Sequence, residues 1–188
     1  MKVQLRTLLL LTPLLAVAAC GRARPPSTAA AADSSAKRTI VVPILARSGS
    51  RLQGTATFVE VPGGVKVTVD VTGAPPGKVA THVHETGDCS APDAKSAGGH
   101  FNPTARQHAL PPTEERHLGD LGNIEVGPDG TGRTEIVVEG ASLAEGDPAS
   151  FLGRAIIVHE KEDNGGQPVG NAGGRIGCGV IDAAKSAT

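Results

Sequence analysis

The chain has 188 residues and a formal net charge of −1, with 18 Lys and Arg against 19 Asp and Glu. This balance provides no basic field for a nucleic-acid backbone, and a chain without Trp or Tyr has few rings on which bases can stack. We therefore expect no nucleic-acid partner.

Residues 1–19 have the pattern of a secretory signal peptide. Lys2 and Arg6 make a basic start, and the apolar run over residues 8–19 is too short and too poorly flanked for a transmembrane helix. The run ends in "VAAC", which resembles a bacterial lipobox and predicts that Cys20 is lipidated. The alternative is an ordinary cleaved signal in which Cys20 is incidental.

Residues 20–38 are small, polar and Pro-containing after Cys20, which is typical of a flexible tether. Residues 39–188 then remain for one compact domain, a normal size for a single fold. The sequence thus predicts an exported lipoprotein, anchored to a membrane through Cys20 and facing the periplasm or the exterior.

The domain is predicted to be all-β. "VKVTVDV" at residues 65–71 places four valines on one face of a strand. The other predicted strands are Thr39–Ala46, Arg51–Val61, Val79–Glu85, Gly119–Val126, Gly132–Val138, Arg154–Glu160 and Arg175–Asp182. Eight short strands separated by Gly- and Pro-rich turns favour an antiparallel sandwich or flattened barrel. A weak helical pattern is confined to Ala141–Glu145.

Two stretches, residues 86–118 and 161–174, are too long to be simple turns. Each begins beside a strand that carries histidine. Long segments without regular structure in a compact domain are usually functional, so we interpret both as functional loops.

His82 and His84 lie two residues apart, which puts both rings on one face of a strand. Protonated rings would repel each other and neutral rings would pack poorly, so a metal ion between them is the favoured interpretation. The alternative for any single histidine is a hydrogen-bonded core or surface residue. The candidate ligands are His82, His84, His100, His108, His117, His159 and Asp120, a number that suits two sites.

The segments "HVHETGDC", "AGGHFNP", "ERHLGDLGN", "VHEKED" and "GNAGGRIGCGVI" resemble, in order, those of the Cu,Zn superoxide dismutase family. The resemblance covers residues from about 40 to 182. It implies an eight-stranded antiparallel Greek-key β-barrel with two long functional loops. It also implies an enzyme that converts superoxide to dioxygen and hydrogen peroxide by cycling copper between Cu(II) and Cu(I), and that protects the cell envelope.

The resemblance implies one copper ion and one structural zinc ion per subunit. The copper ligands would be His82, His84, His100 and His159. The zinc ligands would be His100, His108, His117 and Asp120. His100 would bridge both ions and take up a proton during turnover, and Arg175 would attract the superoxide anion; the alternative for Arg175 is an ordinary strand-end arginine.

Asp163 matches the family's aspartate that hydrogen-bonds one copper-binding and one zinc-binding histidine, although a solvated loop aspartate is the alternative. Cys89 and Cys178 are an even pair in an exported chain, and they match the family's disulfide. The alternative for the cysteines is two buried free thiols.

The loop from His159 to Arg175 is short, and its charges are confined to residues 160–163. We therefore expect Arg175 to supply most of the attraction for superoxide, at a lower and less salt-sensitive rate than in long-loop relatives. Lys95, in the segment between Cys89 and His100, is a hypothetical substitute for the missing positive charge.

Two other functions are compatible with such a domain. One is a metal-buffering or metal-delivering protein, which the loss of a copper ligand or of Arg175 would favour. The other is a structural or adhesive module, which a degraded metal site would favour. The sequence shows neither loss. It is compatible with a monomer or a homodimer.

Overall fold

The computed structural model describes residues 38–183. The predicted signal peptide, the predicted lipidation site at Cys20 and the predicted tether up to residue 37 lie outside the described residues. Among the described residues, no helix has the length and apolar character needed to span a bilayer.

The described chain forms eight antiparallel strands in one closed barrel. They are β1 (Thr39–Ala46), β2 (Gln53–Val61), β3 (Gly64–Thr72), β4 (Gly77–His84), β5 (Asp120–Val126), β6 (Gly132–Glu139), β7 (Ala155–His159) and β8 (Arg175–Val180). The order around the barrel is β1-β2-β3-β6-β5-β4-β7-β8, and pairing of β8 with β1 closes it. Because β4, β5 and β6 fold back until β6 lies beside β3, the topology is a Greek key, and the predicted fold is confirmed.

The barrel interior is filled by alternate side chains of each strand. Val65, Val67, Val69 and Val71 of β3 are at most 2% exposed, as their alternation predicted. The ring of Phe151 packs edge to face on Phe58. Burial of these apolar groups is the main stabilising contribution to the barrel.

The outer face of β4 and β7 is also buried, and this position defines the site. Val79 and Val83 of β4 belong to the interior cluster, so His82 and His84 lie on the outside. On β7 the same alternation places His159 on the outer face. Polar rings can be buried there because the two long loops cover that side of the barrel.

The helical prediction was wrong, because the helix of the described residues is a short 3₁₀ helix at Lys95–Ala97. Residues Ala141–Glu145 form no helix; they run irregularly across one end of the barrel, where Leu143 is fully buried. The backbone N–H of Leu143 donates to Glu60 Oε1, and Ser142 pairs with Ser150 instead of forming a helical turn. Tertiary contacts therefore override a weak local preference.

Cys89 and Cys178 form a disulfide with Cα atoms 5.9 Å apart, which confirms the predicted pairing. It fastens the loop after β4 to the last strand. A small second cluster of buried apolar side chains, Ala94, Ala97, Ala155 and Ile157, packs around Cys178. The outer side of β7 and β8 is therefore held by covalent and apolar contacts together.

We expect the Cys89→Ser/Cys178→Ser variant to lose stability, because the disulfide closes a loop over a sequence separation of 89 residues. The chain-entropy model gives a loss of about 4–5 kcal/mol in the free energy of unfolding. Denaturant unfolding of the metal-free proteins measures it, with the reduced unmodified protein as the control. A loss below about 1 kcal/mol would show that the disulfide does not constrain the unfolded chain as that model assumes.

Candidate metal centre

Two sets of donor atoms converge on the outer face of the barrel. The four-histidine set is His82, His84, His100 and His159, and the carboxylate set is His100, His108, His117 and Asp120. Within each set the donor atoms lie within 4.8 Å of one another. His100 belongs to both sets, so its ring lies between them.

His100 reaches the strand residues because its loop runs along β4. His100 pairs with His84 in an isolated bridge, and the N–H of Phe101 donates to the carbonyl of Val83 at 2.8 Å. Gly119 lies along the same edge of β4, with its carbonyl accepting from the N–H of Val83 at 2.9 Å. A Cβ at Gly119 would overlap the carbonyl oxygen of Val83, so glycine is required by this close approach.

Four buried ring nitrogens in residues 38–183 have no hydrogen-bond partner. They are His82 Nδ1, His84 Nε2, His108 Nδ1 and His159 Nε2. A buried polar atom without a hydrogen-bond partner lowers the stability of the fold, and four such atoms in one cluster are rare in native proteins. Lone pairs that converge without donors fit a bound cation, so these residues fit metal ions.

The opposite nitrogens of the strand histidines are anchored by the protein. His84 Nδ1 donates to the carbonyl of Gly98 at 2.9 Å, and His159 Nδ1 is oriented toward the carbonyl of Gly173 at 3.4 Å. Such partners fix the tautomer and the orientation of a ligating ring. Each ring is thereby held with its free lone pair directed inward.

Asp163 connects the two sets. Its buried carboxylate accepts from His82 Nε2 at 2.9 Å and from His108 Nε2 at 3.0 Å. The side chain of Asn123 on β5 holds the Asp163 backbone, accepting from its N–H at 2.8 Å and donating to its carbonyl at 2.9 Å. A Cβ at Gly170 would overlap the carboxylate of Asp163, so the close approach of the loop requires glycine at this position.

Burial favours the neutral form of the three strand histidines, His82, His84 and His159. It lowers the pKa of His82 to about 4, against the opposing effect of the Asp163 hydrogen bond. It also places the pKa of His84 and of His159 well below the usual range. A neutral imidazole is the form that binds metal, so the rings are ready to bind at neutral pH.

Asp120 organises the carboxylate set. Its Oδ1 accepts from His100 Nδ1 at 2.9 Å, and its Oδ2 lies 3.0 Å from His108 Nδ1, at an angle that makes no hydrogen bond. His117 Nδ1 lies 3.3 Å from Asp120 Oδ1 and 3.4 Å from His100 Nδ1. Burial would raise the pKa of Asp120, but the His100 hydrogen bond and the three nearby histidine rings lower it, so the carboxylate is ionised.

Arg175 lies at the start of β8, beside the four-histidine set. Its guanidinium donates to the carbonyls of Ala94 at 2.8 Å and Gly98 at 2.7 Å. Gly98 O is also the acceptor for His84, which brings the cation close to that ring. Burial lowers the pKa of Arg175, but a guanidinium remains charged at neutral pH.

Lys95 is 80% exposed and its ammonium lies 2.8 Å from Asp93 Oδ2. The Asp93 carboxylate offsets much of the Lys95 charge, so Lys95 is a weaker source of attraction for superoxide than the sequence suggested. Asp93 also acts on Arg175, whose pKa it raises against the effect of burial.

Sequence reasoning missed the backbone and amide groups that orient the ligands. Gly98 and Gly173 act through carbonyl oxygens, which every residue type has, so no sequence signal identifies them. Asn123 lies in the segment "ERHLGDLGN", which carries the family resemblance, but the sequence analysis assigned it no role.

Residues 52–181 match the family model of copper/zinc superoxide dismutase. The chain belongs to that family. An extracellular superoxide dismutase [Cu-Zn] of Brugia pahangi is 35% identical over 155 residues, which span 77% of this chain and 76% of that protein.

Two solved structures are similar to this chain as well. A SOD-like protein from Bacillus subtilis is 32% identical, with a TM-score of 0.68 over 77% of this chain and 99% of that one. The clock protein EA4 is 40% identical, with a TM-score of 0.68 over 78% of this chain and 94% of that one.

Asp163→Asn should weaken zinc binding by about ten- to a hundredfold, because an amide can accept from only one of the two rings. Competition with a chromogenic chelator measures the zinc affinity. Asp129→Asn, in an exposed turn, removes the same charge and is the control. Equal zinc affinities in the two variants would contradict the role of Asp163 in orienting His108.

Proposed function

We propose that this protein is a superoxide dismutase, an enzyme that converts two superoxide anions and two protons into dioxygen and hydrogen peroxide. The observation that carries the proposal is the shared position of His100 between two buried donor sets, with a fixed guanidinium beside one of them. Membership of the copper/zinc superoxide dismutase family supports it.

The chemistry of the two sets supports one copper and one zinc ion per subunit. His82, His84, His100 and His159 offer four imidazoles and no carboxylate, a set that suits copper. His108, His117 and Asp120 complete a three-imidazole, one-carboxylate set with His100, which suits structural zinc. Copper would supply one-electron transfer between Cu(II) and Cu(I), while zinc has no redox chemistry.

The chain's own residues supply substrate attraction and a proton site. Arg175 has five N–H donors and uses two on Ala94 and Gly98, so three remain for the superoxide anion. Nδ1 of His100 lies against Asp120, and Nε2 is left for the four-histidine set. That Nε2 can hold a proton for the product whenever it is not engaged by metal.

We also propose that the enzyme works outside the cytoplasm, anchored by a lipid on Cys20, with residues 1–19 as the signal, 20–38 as the tether and 39–188 as the catalytic domain. The disulfide between Cys89 and Cys178 supports export. Such an enzyme would protect the envelope against superoxide on its outer side.

The described domain is compatible with that anchoring. Arg38 donates to the carbonyl of Leu143, at the end of the barrel where β1 begins. Arg175 lies at the other end of β1, where Ala46 pairs with Gly177 of β8. A tether that precedes Arg38 would therefore join the barrel at the end away from Arg175.

Both donor sets come from one chain, so a homodimer is compatible with the site but is not needed to complete it.

His159→Ala should reduce superoxide decay to the level of the metal-free protein, because it removes one donor of the copper set. Zinc should stay bound, since His159 is not in the carboxylate set. Stopped-flow decay of superoxide and metal analysis of the same sample test both parts. Retained activity would refute the assignment of His159 to copper.

Arg175→Gln should lower the second-order rate constant for superoxide by about tenfold, because the local positive charge that attracts the anion is lost. Arg133→Gln removes the same net charge from β6, where the guanidinium pairs with Asp70, and it should have little effect. Pulse radiolysis at several salt concentrations provides the comparison. A tenfold loss in both variants would mean that net charge, rather than the position of Arg175, sets the rate.

A further inference from the structure

We propose that Arg47 and Ser48, in the turn after β1, are positioning residues that set the location of the Arg175 guanidinium beside the four-histidine set. The turn contacts both the strand that carries Arg175 and the loop that holds its side chain. The consequence for turnover rests on the proposed superoxide dismutase activity, whereas the geometric claim does not.

Arg47 holds in place the loop that follows Cys89. Its Nε and Nη2 both donate to the carbonyl of Cys89, at 3.0 and 2.8 Å, and its Nη1 donates to its neighbour Ala46 at 2.7 Å. Three directed bonds hold the planar guanidinium in one orientation, and a lysine could not reproduce this fork. The half-buried side chain therefore fixes the point at which the loop leaves the disulfide.

Ser48 grips the same loop and the start of β8. Its N–H donates to the carbonyl of Pro92 at 2.8 Å, and its hydroxyl donates to the carbonyl of Arg175 itself at 2.8 Å. The N–H of Arg47 adds a bond to the carbonyl of Ile176 at 2.9 Å. Ser48 has φ of 53°, a left-handed conformation that a non-glycine residue adopts only where contacts hold it.

The turn thus places both ends of the Arg175 side chain. The backbone end is held through Ser48, and the acceptors of the guanidinium, Ala94 O and Gly98 O, lie in the loop that Arg47 and Ser48 hold. Gly98 O also accepts from His84. A shift of the loop would therefore change where the three remaining N–H groups of Arg175 point relative to the four-histidine set.

The test is the affinity of azide, a small anion, for the protein loaded with Cu(II) and zinc. Azide is titrated by its charge-transfer absorption in about 0.5 M salt, where long-range fields are screened. Arg47→Gln should weaken azide binding by about fivefold, the scale of a lost positioning hydrogen bond. Arg51→Gln removes the same charge from the exposed end of the same turn and should leave azide binding unchanged.

Two further variants separate geometry from charge and from loss of fold. Arg47→Lys keeps the charge without the fork and should still weaken azide binding by at least about twofold. Ser48→Gly suits the left-handed backbone and removes only the hydroxyl, so it should weaken binding without loss of metal. Hydrogen exchange at the amides of residues 94–98 should rise in all three positioning variants.

Azide affinities in Arg47→Gln and Ser48→Gly equal to that of the unmodified protein would overturn the inference. So would full azide affinity in Arg47→Lys, since Arg47 would then act through its charge alone. Superoxide decay by the unmodified protein is measured alongside. Weaker azide binding without any dismutase activity would leave the positioning role standing and would refute the proposed function instead.

Discussion

The carboxylate of Asp163 is the contact on which the site depends. It receives a ring N–H from His82 on a rigid strand and another from His108 on a loop. Because each ring has only two nitrogens, fixing the outer one leaves the inner one as a lone pair directed into the cluster. Asn123 holds the backbone of Asp163, so the barrel wall sets the position of this carboxylate.

Burial of so many polar rings outside a barrel imposes a second constraint. The rings must be covered by the long loops, and those loops must be held against the barrel. The disulfide between Cys89 and Cys178, the small apolar cluster around it and the turn at Arg47 meet this need. The same contacts place Arg175, so stability of the cover and attraction of an anion have a common structural basis.

Much of the fold followed from residue pattern alone. The alternation at residues 65–71 matches a strand with one face in the barrel, and the spacing of His82 and His84 matches their common outer face. The donor sets needed the family resemblance, because His100 and His159 are far apart in sequence and no local spacing brings them together. The folded chain brings their donor atoms together in two groups that share His100.

Other features could not be predicted, for physical reasons. The carbonyls of Gly98 and Gly173 orient ligand rings, yet a backbone oxygen has no residue signature. In the sequence, nothing distinguishes Arg47 from an ordinary surface residue of a turn, because its role depends on hydrogen bonds to a loop that is remote in the chain. The helical pattern at residues 141–145 was wrong because the buried Leu143 closes one barrel end, a contact remote in sequence.

With metals bound, the two buried donor sets that share His100 are expected to form a centre that dismutes superoxide. The decisive measurement is stopped-flow decay of superoxide by the protein loaded with one copper and one zinc ion, compared with an equal concentration of protein loaded with zinc alone. We expect rapid catalytic decay that requires copper and stops when a chelator removes it. Binding of both metals with decay no faster than in the zinc-only sample would refute dismutase activity and favour a metal-holding protein.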